Sequence, residues 1–296
     1  LSEIKKKKLS SHIKSFEKKD GYIYNKKIIK GSFLNRKFHA LRTLNFNNWY
    51  GEEIKRAETR QSFASLYLCN SKPDSPFKNI PTDKRSIKIY LDNLYWKNPW
   101  SAGSHVSHLV FFIKMNNLFF PVYINEDLIE YIFEYIEKNY RKSDGSWGNK
   151  TNNSLNIKIN GAMKMLNAYD LFNIEAQKIN ELIDLTLFAC DKHHACDHLN
   201  AVYVLHVCSK FSDYRKEDII KFMEKMLKEI TSFMNDNSGG FSFYNSPMVK
   251  KYYGVKLSKK KFQSDIHGTS LFIWMIAMIS KKINLKEKIN LKIYLN

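Results

Sequence analysis

The chain has 296 residues, 44% of them hydrophobic and 14% aromatic, enough to fill a sizeable core in one large domain or two small ones. No run reaches the ~18 uninterrupted apolar residues of a membrane span. The longest candidate, near 271–279, is closed by Ser280, Lys281 and Lys282, so a soluble globular chain is expected.

A formal charge of +19 favours anionic partners: phosphates, acidic glycans, nucleic acid or anionic lipid heads. The load of Lys, Asn and Ile is also what a biased coding composition produces, so charge alone selects none of them. Nucleic acid is argued against by the lack of a helix-turn-helix signature, zinc finger, RNP-like aromatic strand or GXXG loop. Cys69, Cys190, Cys196 and Cys208 lie on or beside apolar helical stretches. They read as buried thiols in a reducing compartment, hence a cytoplasmic protein, rather than as a disulfide framework.

In chain order, Leu1 to Lys19 predicts a basic amphipathic helix with Leu9, Ile13 and Phe16 on one stripe, suited to a membrane surface or a partner. Residues 21–39, β-branched and aromatic with Gly at both turns, predict a short hairpin or an irregular lid. Residues 1–51 are therefore expected to form an N-terminal extension and 52–296 the main domain.

From about residue 52 helical periodicity dominates and two kinds of helix alternate. Segments 83–96, 125–142, 173–190 and 215–234 are amphipathic and charged. In 125–142, Leu128, Ile132, Tyr135 and Ile136 share a stripe while Glu130, Glu134, Glu137 and Lys138 face away, as on an outer helix. The other kind recurs in 56–68, 101–113, 156–172, 195–207 and 264–279: a polar cluster, a small residue, then an apolar run. Such helices suit inner staves whose polar starts line one mouth. Alternating outer and inner helices stack as antiparallel hairpins, which grow into an open solenoid or close into a ring.

Two connections favour the ring. Residues 141–149 and 236–244 each end an outer helix, place Gly where a left-handed residue is useful, and then supply an aromatic. Asp144, Gly145, Ser146 and Trp147 closely match, and Gly239, Gly240 and Phe241 vary on, the QW-type motifs of a known superfamily. Over roughly 125–282 the chain resembles the α/α toroids of terpenoid cyclases and protein prenyltransferase β subunits. The resemblance implies an all-α toroid; it does not carry the families' chemistry. Neither the DxDD acid motif nor the DDxxD magnesium motif is present. The prenyltransferase zinc pattern is approached only by Asp265, His267 and Thr269, with spacing off by one residue, and its Asp-x-Cys pair is not reproduced by Cys196, Asp197 and His198.

Several clusters have the residue types for chemistry. Residues 190–198 pack Cys, Asp and His together; Cys196, His198 and a distant His267 would supply three zinc ligands, yet the spacing matches no compact zinc module. The bland alternative is a loop whose Asp197 caps the next helix. His105 and His108 sit one turn apart after Pro99, suiting acid–base work, metal binding or simply a hydrogen-bonded core. Trp96 and Trp100 are stacking plates for a sugar or isoprenoid, or covers over helix ends. In 56–61, a guanidinium such as Arg60, with Glu53 and Glu58 nearby, would grip a phosphate or carboxylate, or form a surface ion pair. Asp265 is a natural N-cap, and His267 lies where a helix N-terminus favours neutral imidazole, a usable base.

Together these residues, with Asn160, predict an enzyme whose polar rim above an apolar well takes an anionic or polar substrate. Isoprenoid chemistry is one class. Glycan chemistry is the other: a polysaccharide lyase with a His or Tyr base, or a glycosidase using Asp197 and Asp265 as paired carboxylates. A non-catalytic toroid binding a ligand or protein at the same mouth stands beside them.

Overall fold

A computed structural model describes residues 1–43, 46, 48–120, 127–149, 153–188, 194–235, 239–245, 251–252, 255–256, 258 and 263–283. It is mostly helical, with twelve α-helices among the described residues: α1 Glu3–Lys14, α2 Lys26–Gly31, α3 Phe33–Thr43, α4 Glu52–Leu68, α5 Lys84–Asp92, α6 Pro99–Phe119, α7 Asp127–Tyr140, α8 Leu155–Phe172, α9 Ile179–Phe188, α10 Ala195–Cys208, α11 Lys216–Ile230 and α12 Ile266–Lys282. The all-α expectation is met, and each segment read as outer or inner contains a helix. No described helix is long and apolar enough to cross a membrane. Residues 21–39, expected as a short hairpin or an irregular lid, are mostly helical: α2 and α3 occupy most of that stretch.

The helices group into two compact units. The first takes Leu1–Tyr90, His108–Tyr131 and the short Lys251–Val255 piece; the second takes Leu91–Ser107 and the other described residues from Ile132 onward. In the first, α1 packs on α4. Phe63 of α4 meets the Phe112 ring edge-on at 5.6 Å, and Phe77 stacks on Phe112 at 4.0 Å. Asn116, buried, clasps the backbone of Phe77, accepting from its N–H at 3.0 Å and donating to its carbonyl at 2.9 Å.

In the second unit α8, α10 and α12 lie side by side, with α9 against α8 and α10 and α11 against α10 and α12. The burial pattern explains the layering. All of α10 except Cys196 is buried, as for a helix apolar around its whole circumference. In α11 only the Ile219, Met223, Met226 and Ile230 stripe is buried, so its other face meets water. Asn160 and Asp197 join the starts of α8 and α10, while Tyr203 and Lys210 of the α10 end both reach Asp170 near the α8 end; the two helices therefore run parallel. The start of α6 joins them, because a Cβ on its Gly103 would lie 3.0 Å from the Gly161 carbonyl of α8.

Near the far end of α10, His206 is buried, and its Nδ1 has no hydrogen-bond partner among the described residues. Burial pulls its pKa down to about 4 from 6.5, helped by the charge of Lys210. The unfolded chain binds this proton below 6.5 and the folded one only near 4, so His206 costs stability progressively as pH falls through that window. Chemical denaturation of His206→Leu should show a shallower loss of stability between those pH values than the parent. An unchanged acid slope contradicts this.

The turn geometry recurs more often than expected. Arg141 pairs antiparallel with Trp147, and Met234 with Phe241 across residues 236–238, which lie outside the described residues. Another copy follows α1: Glu17 pairs with Ile23, and Lys18 N–H donates to the Tyr22 carbonyl at 2.7 Å, as Lys142 does to Ser146 at 2.8 Å. Asp20-Gly21 repeats Asp144-Gly145. Each Asp accepts from the N–H two residues on, and Gly21 and Gly145 sit at φ 84° and 76°. Both glycines are required twice over, by the left-handed backbone and by space. A Cβ on Gly21 would lie 2.3 Å from the Pro76 carbonyl, and one on Gly145 2.6 Å from the Leu182 nitrogen. The inner helices hold these turns alike: Thr59 Oγ1 of α4 accepts from Ile23 N–H, and Thr269 Oγ1 of α12 from Phe241 N–H, both at 3.0 Å.

Candidate functional site at the inner-helix starts

Residues 239–245 form a strap sewn across the starts of α10 and α12. The Phe243 carbonyl accepts from Ala195 N–H at 3.0 Å, and Phe243 N–H donates to Asp265 Oδ2 at 2.8 Å. His194 and Tyr244 complete the pairing as an antiparallel bridge. Asp265 Oδ1 caps α12 by accepting from Gly268 N–H at 2.8 Å. The strap passes so close that a Cβ on Gly268 would lie 2.5 Å from the Phe243 nitrogen, which accounts for a glycine inside the first turn.

The strap presses Phe243 between two histidines. The His194 ring stacks on it at 5.0 Å, and His267 lies 5.2 Å away at 45°. His194 immediately precedes α10, with Nδ1 3.4 Å from Asp197 Oδ2; Asp197 is buried, whereas the His194 side chain is 31% exposed. The other carboxylate oxygen of Asp197 accepts from Asn160 Nδ2 at 3.4 Å, and Asn160 Oδ1 accepts from Asn200 Nδ2 at 2.7 Å. Asn200, Asn160 and Asp197 thus form a hydrogen-bonded chain from the interior, and the half-buried His194 imidazole stands at ion-pair distance from its end. A carboxylate at this ion-pair distance from the ring favours its protonated form electrostatically. Tyr244 is beside this group; burial first, then the nearby Cys196 and Asp265, raises its pKa, so the phenol keeps its proton.

The other expected site residues are placed as follows. His198 is buried and turned to the outer layer, Nδ1 3.1 Å from the His194 carbonyl and Nε2 3.3 Å from Glu229 of α11, with Phe233 against its ring. Asp265 has both oxygens engaged by backbone N–H groups, a structural role. Trp96 is a helix-end cover: buried, its Nε1–H donating to Leu91 at 2.7 Å and its ring stacked 3.8 Å over Tyr140. Trp100 is exposed and His105 half-buried.

In the first unit, Arg56 Nε donates to His108 Nδ1 at 3.0 Å, which fixes the proton of that neutral ring on Nε2. Arg60 is buried with its guanidinium 5.0 Å from the Phe111 ring. Glu58 is half-buried on the same helix, and burial alone raises its pKa. Among the described residues no three His, Cys, Asp or Glu side chains gather as metal ligands, so Cys196, His198 and His267 do not assemble the zinc set; Cys190 lies outside the described residues.

Sequence reasoning passed over His194, Asn200, Phe243 and Tyr244 as individual site members. The available signal was their position: His194 directly precedes an inner helix, and 243–244 follow a turn of the type that recurs. No family model, curated protein or solved structure matches the chain.

Proposed function

We propose that this chain is an acid–base enzyme on an α/α toroid whose substrate is an anionic polymer, a uronate-bearing glycan, cleaved by β-elimination. The observation that carries the reading is the Asn200–Asn160–Asp197 chain, with His194 at its end, at the gathered inner-helix starts. His194 Nε2 takes the proton from C5, next to the uronate carboxylate, as the C5–H bond breaks. The C4=C5 bond forms, the C4–O bond to the leaving sugar breaks, and Tyr244, whose ring lies 6.0 Å from that of His194, supplies the proton to that oxygen. Asp197, held by the Asn160 amide, stabilises the imidazolium formed. The formal charge of +19 draws the polyanion in.

Toroid closure is supported by the alternation of helices and by the turn that recurs at Glu17–Ile23 and Arg141–Trp147. The glycosidase alternative is disfavoured because Asp265, one of its two carboxylates, is consumed by backbone hydrogen bonds. The terpenoid-cyclase or prenyltransferase-like reading rests on the fold resemblance alone. A cytoplasmic location rests on the sequence pattern of cysteines on apolar helices, in keeping with the burial of Cys69 and Cys208.

The test is incubation of the purified chain with a panel of uronate polymers, watching for the ultraviolet absorbance of the unsaturated product. At least one polymer should give it. Tight binding with no product from any of them would replace catalysis by the non-catalytic toroid.

A further inference from the structure

Helix α3 is built inside out. Arg36 and Ala40, one turn apart, form its buried face. The opposite face, Leu34, Phe38 and Leu41 at i, i+4 and i+7, is 78%, 69% and 60% exposed. The arrangement is pinned rather than loose: Arg36 Nε donates to Ser32 Oγ at 3.0 Å, Nη1 to the Trp49 carbonyl at 2.9 Å and Nη2 to the Ile29 carbonyl at 2.8 Å. One guanidinium thus ties α2, α3 and the approach to α4 together. Gly51, at φ 82°, lets that approach come close, since a Cβ there would lie 3.1 Å from Arg36 Nη1. Phe33, Phe46 and Tyr50 are exposed as well, and the Lys37 ammonium lies 3.3 Å over the Trp49 ring.

Charge identifies what this face meets. Residues 21–51 carry Lys26, Lys27, Lys30, Arg36, Lys37 and Arg42 and no acidic residue. Of these, Lys26, Lys27, Lys30 and Arg42 are exposed. We propose that α2 and α3 form a membrane-surface platform, with Leu34, Phe38 and Leu41 entering the acyl boundary of an anionic bilayer and the lysines engaging its headgroups. An apolar helix face flanked by Lys and Arg, with Trp and Tyr at its margin, is the composition that lies in a lipid interface. A second copy of the chain is disfavoured as occupant, because each copy carries +19. The α1 stripe is less suited to this role than the sequence suggests, since Ile13 and Phe16 are half-buried and the helix packs on α4.

Cosedimentation of the full chain with phosphatidylcholine vesicles, with and without phosphatidylserine, tests this. The chain should pellet with the anionic vesicles and far less with the neutral ones. Leu34→Asp with Phe38→Asp should weaken that partition by at least ~10-fold, as expected for withdrawing two large apolar side chains from the boundary. Lys26→Gln, Lys27→Gln and Lys30→Gln together should weaken it ~10²-fold at low salt. These side chains are exposed, so the variants retain the fold, verified by circular dichroism. The proposal is overturned if the parent stays in the supernatant with anionic vesicles, or if either variant pellets as well as the parent. It is equally overturned if the parent proves dimeric by sedimentation velocity and Leu34→Asp with Phe38→Asp makes it monomeric.

Discussion

Asp197→Asn is expected to lower kcat on a uronate polymer ~10²–10⁴-fold while leaving KM within a few-fold, the loss found when an imidazole base loses its orienting carboxylate. Asp197 is buried and reaches two groups, Asn160 on one oxygen and His194 on the other. An asparagine keeps the size but presents a neutral amide. It offers no charge to the imidazolium formed when His194 takes a proton. Because the geometry is nearly isosteric, thermal stability should change little. Steady-state kinetics and a melting curve on the same preparation separate the two effects. Unchanged kcat with a fallen melting temperature would make Asp197 a helix-start residue and no more.

The second large effect is on stability. Trp147→Ala should cost ~3–5 kcal/mol in denaturant unfolding, the range for deleting a buried aromatic. Trp147 is fully buried, the Arg141 guanidinium lies 3.6 Å over its ring, and Tyr169 packs at 5.8 Å. Arg141 is itself buried, with Nε 3.6 Å from Glu137 Oε2, and Tyr169 donates to the same carboxylate. Removing the indole leaves a void and takes away the flat face against which a buried cation rests. Trp100→Ala, at an exposed tryptophan, is the control and should fall within about 0.5 kcal/mol of the parent. Equal costs for the two would mean that the recurring turn is decoration rather than a fastening between helices.

These two cases show what could be read in advance. Helix order was legible because the apolar segments and the charged ones have different periodicities, and Asp265 was legible as a cap because a short polar side chain stands directly before an apolar run. Which tryptophan is buried was not: Trp96 and Trp100 lie one helical turn apart in sequence, and only the Tyr140 ring and the Leu91 carbonyl decide between them. The first turn copy carries no aromatic signature, because Ile23 stands where Trp147 stands in the second, and α2 and α3 intervene before its inner helix.

The site itself depended on rotation. Neighbouring positions on a helix point about 100° apart, so Asp197 faces the start of α8 while His198 faces Glu229 on α11. His194 becomes the outward imidazole because the 239–245 strap, far along the chain, seats Phe243 against it. Neither fact is a property of the local sequence. Asp265 illustrates the converse: its residue type suits catalysis, and its two backbone hydrogen bonds assign it to holding the strap.

The assignment of the outward imidazole as the working base is tested most directly by comparing turnover of His194→Ala and His198→Ala on the same uronate polymer. His194→Ala should lose ~10²-fold or more in kcat with its fold intact, whereas His198→Ala should lose stability and keep most of its turnover per folded molecule. Retained activity in His194→Ala, with loss confined to His198→Ala, would contradict the account.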